Sequence, residues 1–148
     1  MKNRTMHVIV TAAIALAVSG IARADKDDNK KECSEATLSG LYIFNASGFN
    51  IVGGVAQPKA VVEFIRFNGD GSLTVPAATA SINGVVMRSP AHGTGTYTVG
   101  ADCTGSLTFG PPGPVFDLFL SSKGSEVYMI QIAPGSPVMQ GIVEKLSN

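Results

Sequence analysis

Glycine and proline are spread through most of this chain, and their spacing constrains the fold more than any other feature. The sequence has 17 Gly and 8 Pro, and all of them except Gly20 lie beyond residue 24. Short runs rich in Val, Ile, Phe, Tyr and Thr stand between them, without the three- and four-residue apolar spacing of an amphipathic helix. Glycine and proline weaken helices, whereas β-branched and aromatic runs bounded by turn residues are typical of strands. The pattern therefore predicts an all-β fold.

Eight strands follow from this pattern. Asn83-Gly84 has the sequence of a two-residue hairpin turn, and Pro90 interrupts the fourth strand because proline cannot donate to a ladder. Eight antiparallel strands in succession most simply close into an up-and-down barrel, since closure removes exposed edges; a two-sheet β-sandwich is the alternative. The predicted strands are Leu38–Ala46, Ala60–Phe67, Ser72–Ile82, Val85–Val99, Thr104–Phe109, Val115–Ser121, Glu126–Ile132 and Val138–Lys145.

The up-and-down order assigns every connection to one end of the barrel. Short polar turns such as Asn68–Gly71 fall at the end where the first strand begins, together with Cys33 and Cys103. The longer connections, rich in Gly and Pro, fall at the opposite end, and the longest of them is predicted to be Ser47–Lys59. We therefore expect a closed base and an apolar mouth, and ligand sites in such barrels lie in the mouth or the interior.

Residues 1–24 have the composition of an export signal. Lys2 and Arg4 precede an apolar run, and Ala22-Arg23-Ala24 matches a small-residue cleavage site. The apolar run of about 14 residues is shorter than the roughly 20 that cross a bilayer. We therefore expect cleavage after Ala24, no membrane span, and a mature protein that is periplasmic or secreted.

The distribution of charge argues against nucleic acid as a partner and separates a charged tail from the rest of the chain. All 11 acidic residues lie at or beyond Asp25, whereas three of the 11 basic residues precede it, which leaves residues 25–148 with 8 bases against 11 acids. Nucleic-acid binding needs a basic face, so no nucleic-acid partner is expected. Residues 25–35 hold 8 of these 19 charges and form a predicted charged tail. Residues 36–148 then form a single, sparsely charged β-barrel domain.

The two cysteines are predicted to form a disulfide. In an oxidising compartment Cys33 and Cys103 are more often joined than free, and a catalytic cysteine is the alternative. His92 is the only histidine beyond residue 24, and the sequence contains no C-x-x-C pair. No metal site, thioredoxin-type redox site or cofactor is therefore predicted.

Aromatic residues on the predicted strands are the candidates for ligand binding. The strands carry apolar residues on both faces, where a barrel in water should alternate apolar and polar residues, so a homo-oligomer is also expected. Catalytic residues are unknown, because the sequence lacks G-x-S-x-G, a P-loop and a dinucleotide fingerprint. The predicted ligand-binding residues are Tyr42, Phe44, Phe64, Arg66, Tyr97, Phe116 and Tyr128.

Three segments carry a resemblance to known proteins. Phe67-Asn-Gly-Asp-Gly-Ser-Leu-Thr74, Gly95-Thr-Tyr-Thr-Val99 and Asp102-Cys-Thr-Gly-Ser-Leu-Thr108 resemble a group of small exported bacterial proteins of unassigned function. More distantly, the predicted architecture is similar to the barrels of the allene oxide cyclase, dirigent and lipocalin families. That resemblance implies an interior that binds or folds apolar small molecules and, for the first two families, an oligomer.

Three functions remain open at this point. The first is the binding of an apolar or amphipathic small molecule in the barrel. The second is a cofactor-free cyclase or isomerase of the allene oxide cyclase type, with Glu63, Arg66, Tyr97 or His92 as acid, base or anchor. The third is an envelope or secreted module that binds or inhibits other proteins through its outer surface.

Overall fold

Among the residues that the structure describes, the regular secondary structure is entirely β except for one short 3-10 turn, Glu35–Thr37. The structure is a computed structural model that describes residues 32–89, 93–110, 113–135 and 137–146. The predicted signal peptide, most of the predicted tail and His92 lie outside these residues. The strands are β1 (Ser39–Val52), β2 (Val55–Asn68), β3 (Ser72–Ile82), β4 (Val85–Ser89), β5 (Gly93–Val99), β6 (Thr104–Phe109), β7 (Val115–Leu120), β8 (Glu126–Ala133) and β9 (Val138–Lys145).

Eight of these strands close into an antiparallel barrel. The sheet order is β2-β1-β9-β8-β7-β6-β5-β3-β4, and an additional pairing of β2 with β3 closes the ring. Residues Ser72–Val75 of β3 pair with β5, whereas Ala78–Ile82 pair with β4, so β4 is an extra strand at the upper end. The predicted eight-stranded barrel is confirmed, and the sandwich alternative is excluded.

The first connection differs from the prediction. Residues 47–59, expected to be a loop, continue the β1–β2 ladder from Ser47↔Ala60 to Val52↔Val55. Gly53 and Gly54 make the turn with φ of 57° and 80°, values that glycine adopts without strain. Pro58 is tolerated because the ladder pairing of β2 with β3 begins only at Lys59, and the contact of Pro58 on that side uses its carbonyl, which accepts the Asn83 N–H at 2.8 Å. The loop prediction was wrong because it treated this glycine pair and proline as marks of irregular structure.

The base of the barrel is closed by the segment before β1. Leu38 is fully buried, and Cys33 is joined to Cys103 with a Cα–Cα distance of 5.0 Å, which confirms the predicted disulfide. The Tyr97 hydroxyl lies 3.0 Å from the carbonyl oxygens of both Glu35 and Leu38 and accepts the Gly69 N–H at 3.0 Å. These contacts fasten the N-terminal segment across the barrel end.

An aromatic cluster fills the space above this closure. The ring of Phe67 packs edge to face against Tyr42 and Tyr97, with centroid distances of 5.1 and 5.0 Å. The Tyr42 hydroxyl donates to the Gly124 carbonyl at 2.8 Å, so its polar end also has a partner. Buried aromatic rings with paired hydroxyls stabilise a core through both area and geometry. The lower half of the barrel is therefore packed.

Candidate functional site

The upper half of the barrel interior contains a cavity that opens toward the mouth. This mouth cavity has a volume of about 560 Å³. Much of its wall is apolar, and two charged side chains, Lys59 and Glu63, also line it. Its apolar wall includes Phe44 of β1, Val61 of β2, Val75 of β3, Phe116 of β7 and Met139 of β9.

Alternation along β2 places the two charges inside. Ile65 and Phe67 are buried in the core, and strand residues two apart share a face, so Glu63, Val61 and Lys59 follow them upward along the inner wall. Lys59 is nearer the mouth because β2 descends from the turn at Gly53-Gly54. The two Cα atoms are about 13 Å apart along an extended strand.

An irregularity in β3 shapes the opposite wall. The register of β2 against β3 shifts between Phe64 and Arg66, so β3 holds one extra residue near Pro76. Proline fits such a bulge because the unpaired position needs no N–H donor. The bulge lets Val75 and Ala78, three residues apart, both line the mouth cavity.

The environment of Glu63 changes its acidity. Burial raises the pKa of the carboxyl from 4.5 to about 7, and attraction from Lys59 opposes this rise. Burial likewise lowers the pKa of Lys59, and attraction from Glu63 opposes that change. Desolvation disfavours the charged form of each group. Glu63 is therefore able to gain or lose a proton near neutral pH.

A second, smaller depression lies beside the mouth cavity. This rim cavity has a volume of about 300 Å³, and Lys59 and Pro114 line both cavities. Gln131 contributes to it from β8, and its side chain is 7% exposed. The amide nitrogen of Gln131 donates to the Ala133 carbonyl at 3.0 Å, whereas its Oε1 has no hydrogen-bond partner among the described protein groups. The rim cavity thus contains a buried amide oxygen that the described part of the fold leaves unpaired.

A larger depression lies on the outside of the barrel. This outer groove has a volume of about 800 Å³ and runs over β7, β8, β9 and β1. Its wall includes Ile43, Phe119, Tyr128, Ile130 and Ile142, and the last four are exposed. The mouth cavity is the stronger candidate for a small-molecule site, because its buried apolar walls surround two charged groups.

The predicted ligand-binding residues occupy three different environments. Phe44 and Phe116 line the mouth cavity. Tyr42 and Tyr97 belong to the packed base, and Phe64, Arg66 and Tyr128 are exposed on the outer face. A ligand-binding role for any of the seven stays a prediction.

Sequence reasoning missed the position of Lys59 and did not separate Glu63 from other charges. Lys59 was assigned to the end of a loop, and Glu63 was one of several candidate acids. The signal that would have found them is the alternation that starts at Phe67 and Ile65, extended upward along the whole of β2.

The described part of the chain contains no group of three or more His, Cys, Asp and Glu residues that could hold a metal ion. Within the same residues, no helix is long and apolar enough to cross a membrane. Comparisons of the chain with protein-family models, with curated proteins and with solved structures found no match. The geometry of the site is therefore the basis for assigning a function.

Proposed function

We propose that this chain is an exported binding protein that holds an apolar or amphipathic small molecule in the upper interior of its barrel. The observation that carries the proposal is the mouth cavity, which lies above a packed base and opens toward solvent. Its volume of about 560 Å³ falls within the range of small-molecule sites. Apolar walls favour an apolar ligand body, because burying such surface is the main source of affinity.

Two observations support export. The first 24 residues have the order of a signal peptide, and the disulfide between Cys33 and Cys103 fits an oxidising compartment. The resemblance to small exported bacterial proteins is in keeping with a periplasmic or secreted location. The resemblance to lipocalin-like and allene oxide cyclase-like barrels agrees with an interior ligand.

The enzyme alternative has narrower support than binding. Arg66 is exposed on the outer face, and the Tyr97 hydroxyl is engaged at the base. Glu63 is the described candidate that lines the cavity, and its pKa of about 7 suits proton transfer. A single candidate acid or base without an assigned substrate gives weaker support to a reaction than the cavity gives to binding.

The apolar outer face favours a second role, self-association. This face comprises large side chains that are roughly half exposed on β2, β7, β8 and β9, namely Val62, Phe64, Phe119, Tyr128, Ile130, Ile132, Val138 and Ile142. Monomers seldom expose contiguous apolar patches above a few hundred Å², and a standard interface takes about 800 Å² from each partner. We propose that a second copy of the chain covers this face.

The binding proposal is tested by blocking the cavity. Ala78 lines it, whereas the adjacent Ala77 is exposed on the opposite face of β3. Ala78→Phe should weaken binding of the fluorescent probe 1-N-phenylnaphthylamine by about tenfold or more, since the ring occupies ligand space. Ala77→Phe, the matched control, should bind the probe like the parent protein.

Native mass spectrometry of protein purified from its own host should show a retained small molecule that is absent after denaturation. Equal probe binding by the Ala78 and Ala77 variants, both folded by circular dichroism, would show that the mouth cavity is not the site.

A further inference from the structure

We propose that the ligand is a long-chain carboxylic acid, held by Lys59 at the mouth with its apolar chain lying past Glu63, and that it binds together with a proton. This inference rests on the proposed binding function and names the class of ligand. It also predicts that the affinity rises as the pH falls.

Lys59 is placed to meet the polar end of a ligand. It lies above Glu63 on the inner face of β2 and lines both the mouth cavity and the rim cavity. An amphipathic molecule that enters from solvent leaves its polar end toward the mouth and its chain toward the aromatic side chains below. Because a lysine ammonium pairs with a negatively charged oxygen, the polar end that fits is a carboxylate.

The other walls contribute no competing charge. Among the described residues that line either cavity, Lys59 and Glu63 are the ionisable ones. The neighbouring elements present uncharged groups to Glu63, from Phe44 of β1, Val75 of β3, Ser89 of β4, Gly93 of β5, Phe116 of β7 and Met139 of β9. His92 lies between Ser89 and Gly93 in the chain and outside the described residues, so the experiment below tests it directly.

The pair of charges favours an anion over a cation. At pH 7 the half-buried carboxyl is uncharged in about half of the molecules, because its pKa lies at about 7, and below pH 7 it is uncharged in most of them. The positive charge of Lys59 then remains without its internal counter-charge. A ligand ammonium would meet repulsion from Lys59, whereas a ligand carboxylate replaces the attraction that Glu63 has lost.

Occupancy of the cavity couples binding to a proton. An alkyl chain beside Glu63 displaces water from the carboxyl, which raises the cost of its charged form. The complex therefore favours protonated Glu63. Below pH 7 the proton is already present, whereas above pH 7 it must be taken up from solution, so the affinity falls as the pH rises.

The ligand class is tested with three molecules that share one chain length: dodecanoate, dodecanol and dodecylamine. Isothermal titration calorimetry at pH 7 should give the tightest binding for dodecanoate and the weakest for dodecylamine. Lys59→Met should weaken the binding of dodecanoate about tenfold, which is the effect expected when a hydrogen bond between charged groups is lost, and should leave the affinity for dodecanol unchanged. Lys145→Met, which removes an exposed lysine at the base, is the matched control and should change neither. Lys59→Gln serves in its place if the methionine variant does not fold.

The proton is tested with Glu63→Gln. The parent protein should bind both dodecanoate and dodecanol about tenfold more weakly at pH 8 than at pH 6, as linkage to one group with a pKa near 7 requires. Glu63→Gln should bind with nearly equal affinity at both pH values, because the amide needs no proton. Glu144→Gln on the exposed face and His92→Gln should keep the pH dependence of the parent.

The outcomes separate this inference from the binding proposal. If none of the three molecules binds, the proposed function fails. If dodecanol binds as tightly as dodecanoate and Lys59→Met affects neither, the barrel binds ligands but the acid class is wrong. If the pH dependence persists in Glu63→Gln or disappears in His92→Gln, Glu63 is not the proton carrier.

Discussion

The base and the mouth of this barrel are built by the same strands but treat their polar groups differently. At the base, the Tyr97 and Tyr42 hydroxyls are hydrogen-bonded and a disulfide fastens the closing segment. At the mouth, Glu63 is half-buried beside an apolar wall, and Gln131 Oε1 has no hydrogen-bond partner among the described protein groups. Groups that lower stability persist where they have a function. The difference indicates that the base stabilises the fold, and it is in keeping with the proposed ligand site at the mouth.

Removing the disulfide should have the largest effect on stability. The bridge joins residues separated by 70 positions, and a loop of this length corresponds to roughly 4 kcal/mol in the chain-entropy description. The double variant Cys33→Ser with Cys103→Ser should lose about 2–5 kcal/mol in urea unfolding. Probe affinity in the remaining folded protein should be unchanged. A parallel loss of affinity at temperatures where the variant is folded would show that the two ends are not independent.

Glu63→Gln at the mouth should raise the stability of the protein, whereas removal of the disulfide at the base should lower it. A carboxyl whose pKa is raised from 4.5 to about 7 binds more protons in the folded state than in the unfolded state between these pH values. It therefore lowers the free energy of unfolding as the pH rises above 4.5, and the reduction is complete above pH 7. The substitution should therefore raise the free energy of unfolding at pH 8 by up to roughly 3 kcal/mol and leave it nearly unchanged at pH 4. Urea unfolding at the two pH values measures the difference. An equal effect at both would assign the change to packing instead of charge.

Tyr97→Phe should weaken the base by a smaller amount. The substitution keeps the ring against Phe67 but removes the hydroxyl that binds the Gly69 N–H and the carbonyls of Glu35 and Leu38. Leaving these groups without a partner should cost about 1–3 kcal/mol. Tyr128→Phe, at an exposed position, is the control and should change unfolding by less than about 0.5 kcal/mol. A null result at Tyr97 would mean that water replaces the hydroxyl and that the base is less tightly closed than its contacts suggest.

The base and the strand order were predictable from sequence because local signals determine them. Ser72–Ile82, Thr104–Phe109 and Val138–Lys145 have the bounds predicted from runs between turn residues. The cysteine pairing followed from compartment and topology, since both residues fall at the end where β1 begins. Such inferences need only residue type and position along the chain.

The mouth was harder to predict because its position depends on pairing between strands. Whether Gly53-Gly54 ends a loop or turns a hairpin depends on the partners of β1 and β2. The bulge near Pro76 decides that both Val75 and Ala78 face inward. Phe64 and Phe44 are the same residue type, yet one is exposed outside and the other lines the cavity. Residue type alone carries no information on which face is inside when both faces are apolar.

Disrupting the outer face should have the smallest effect on the mouth, because a single copy of the chain is expected to contain both the base and the mouth. Ile130 is 48% exposed on the apolar outer face, so Ile130→Lys should reduce the subunit count measured by light scattering after size exclusion. Thr96→Lys on the exposed face of β5 is the control and should leave the count unchanged. Probe affinity should be the same in both variants, because the cavity walls come from a single barrel. If affinity falls together with the subunit count, a second copy completes the mouth, and the contrast between base and mouth is a property of the assembly. If the parent protein is already monomeric, the outer face has a different partner and the self-association proposal is wrong.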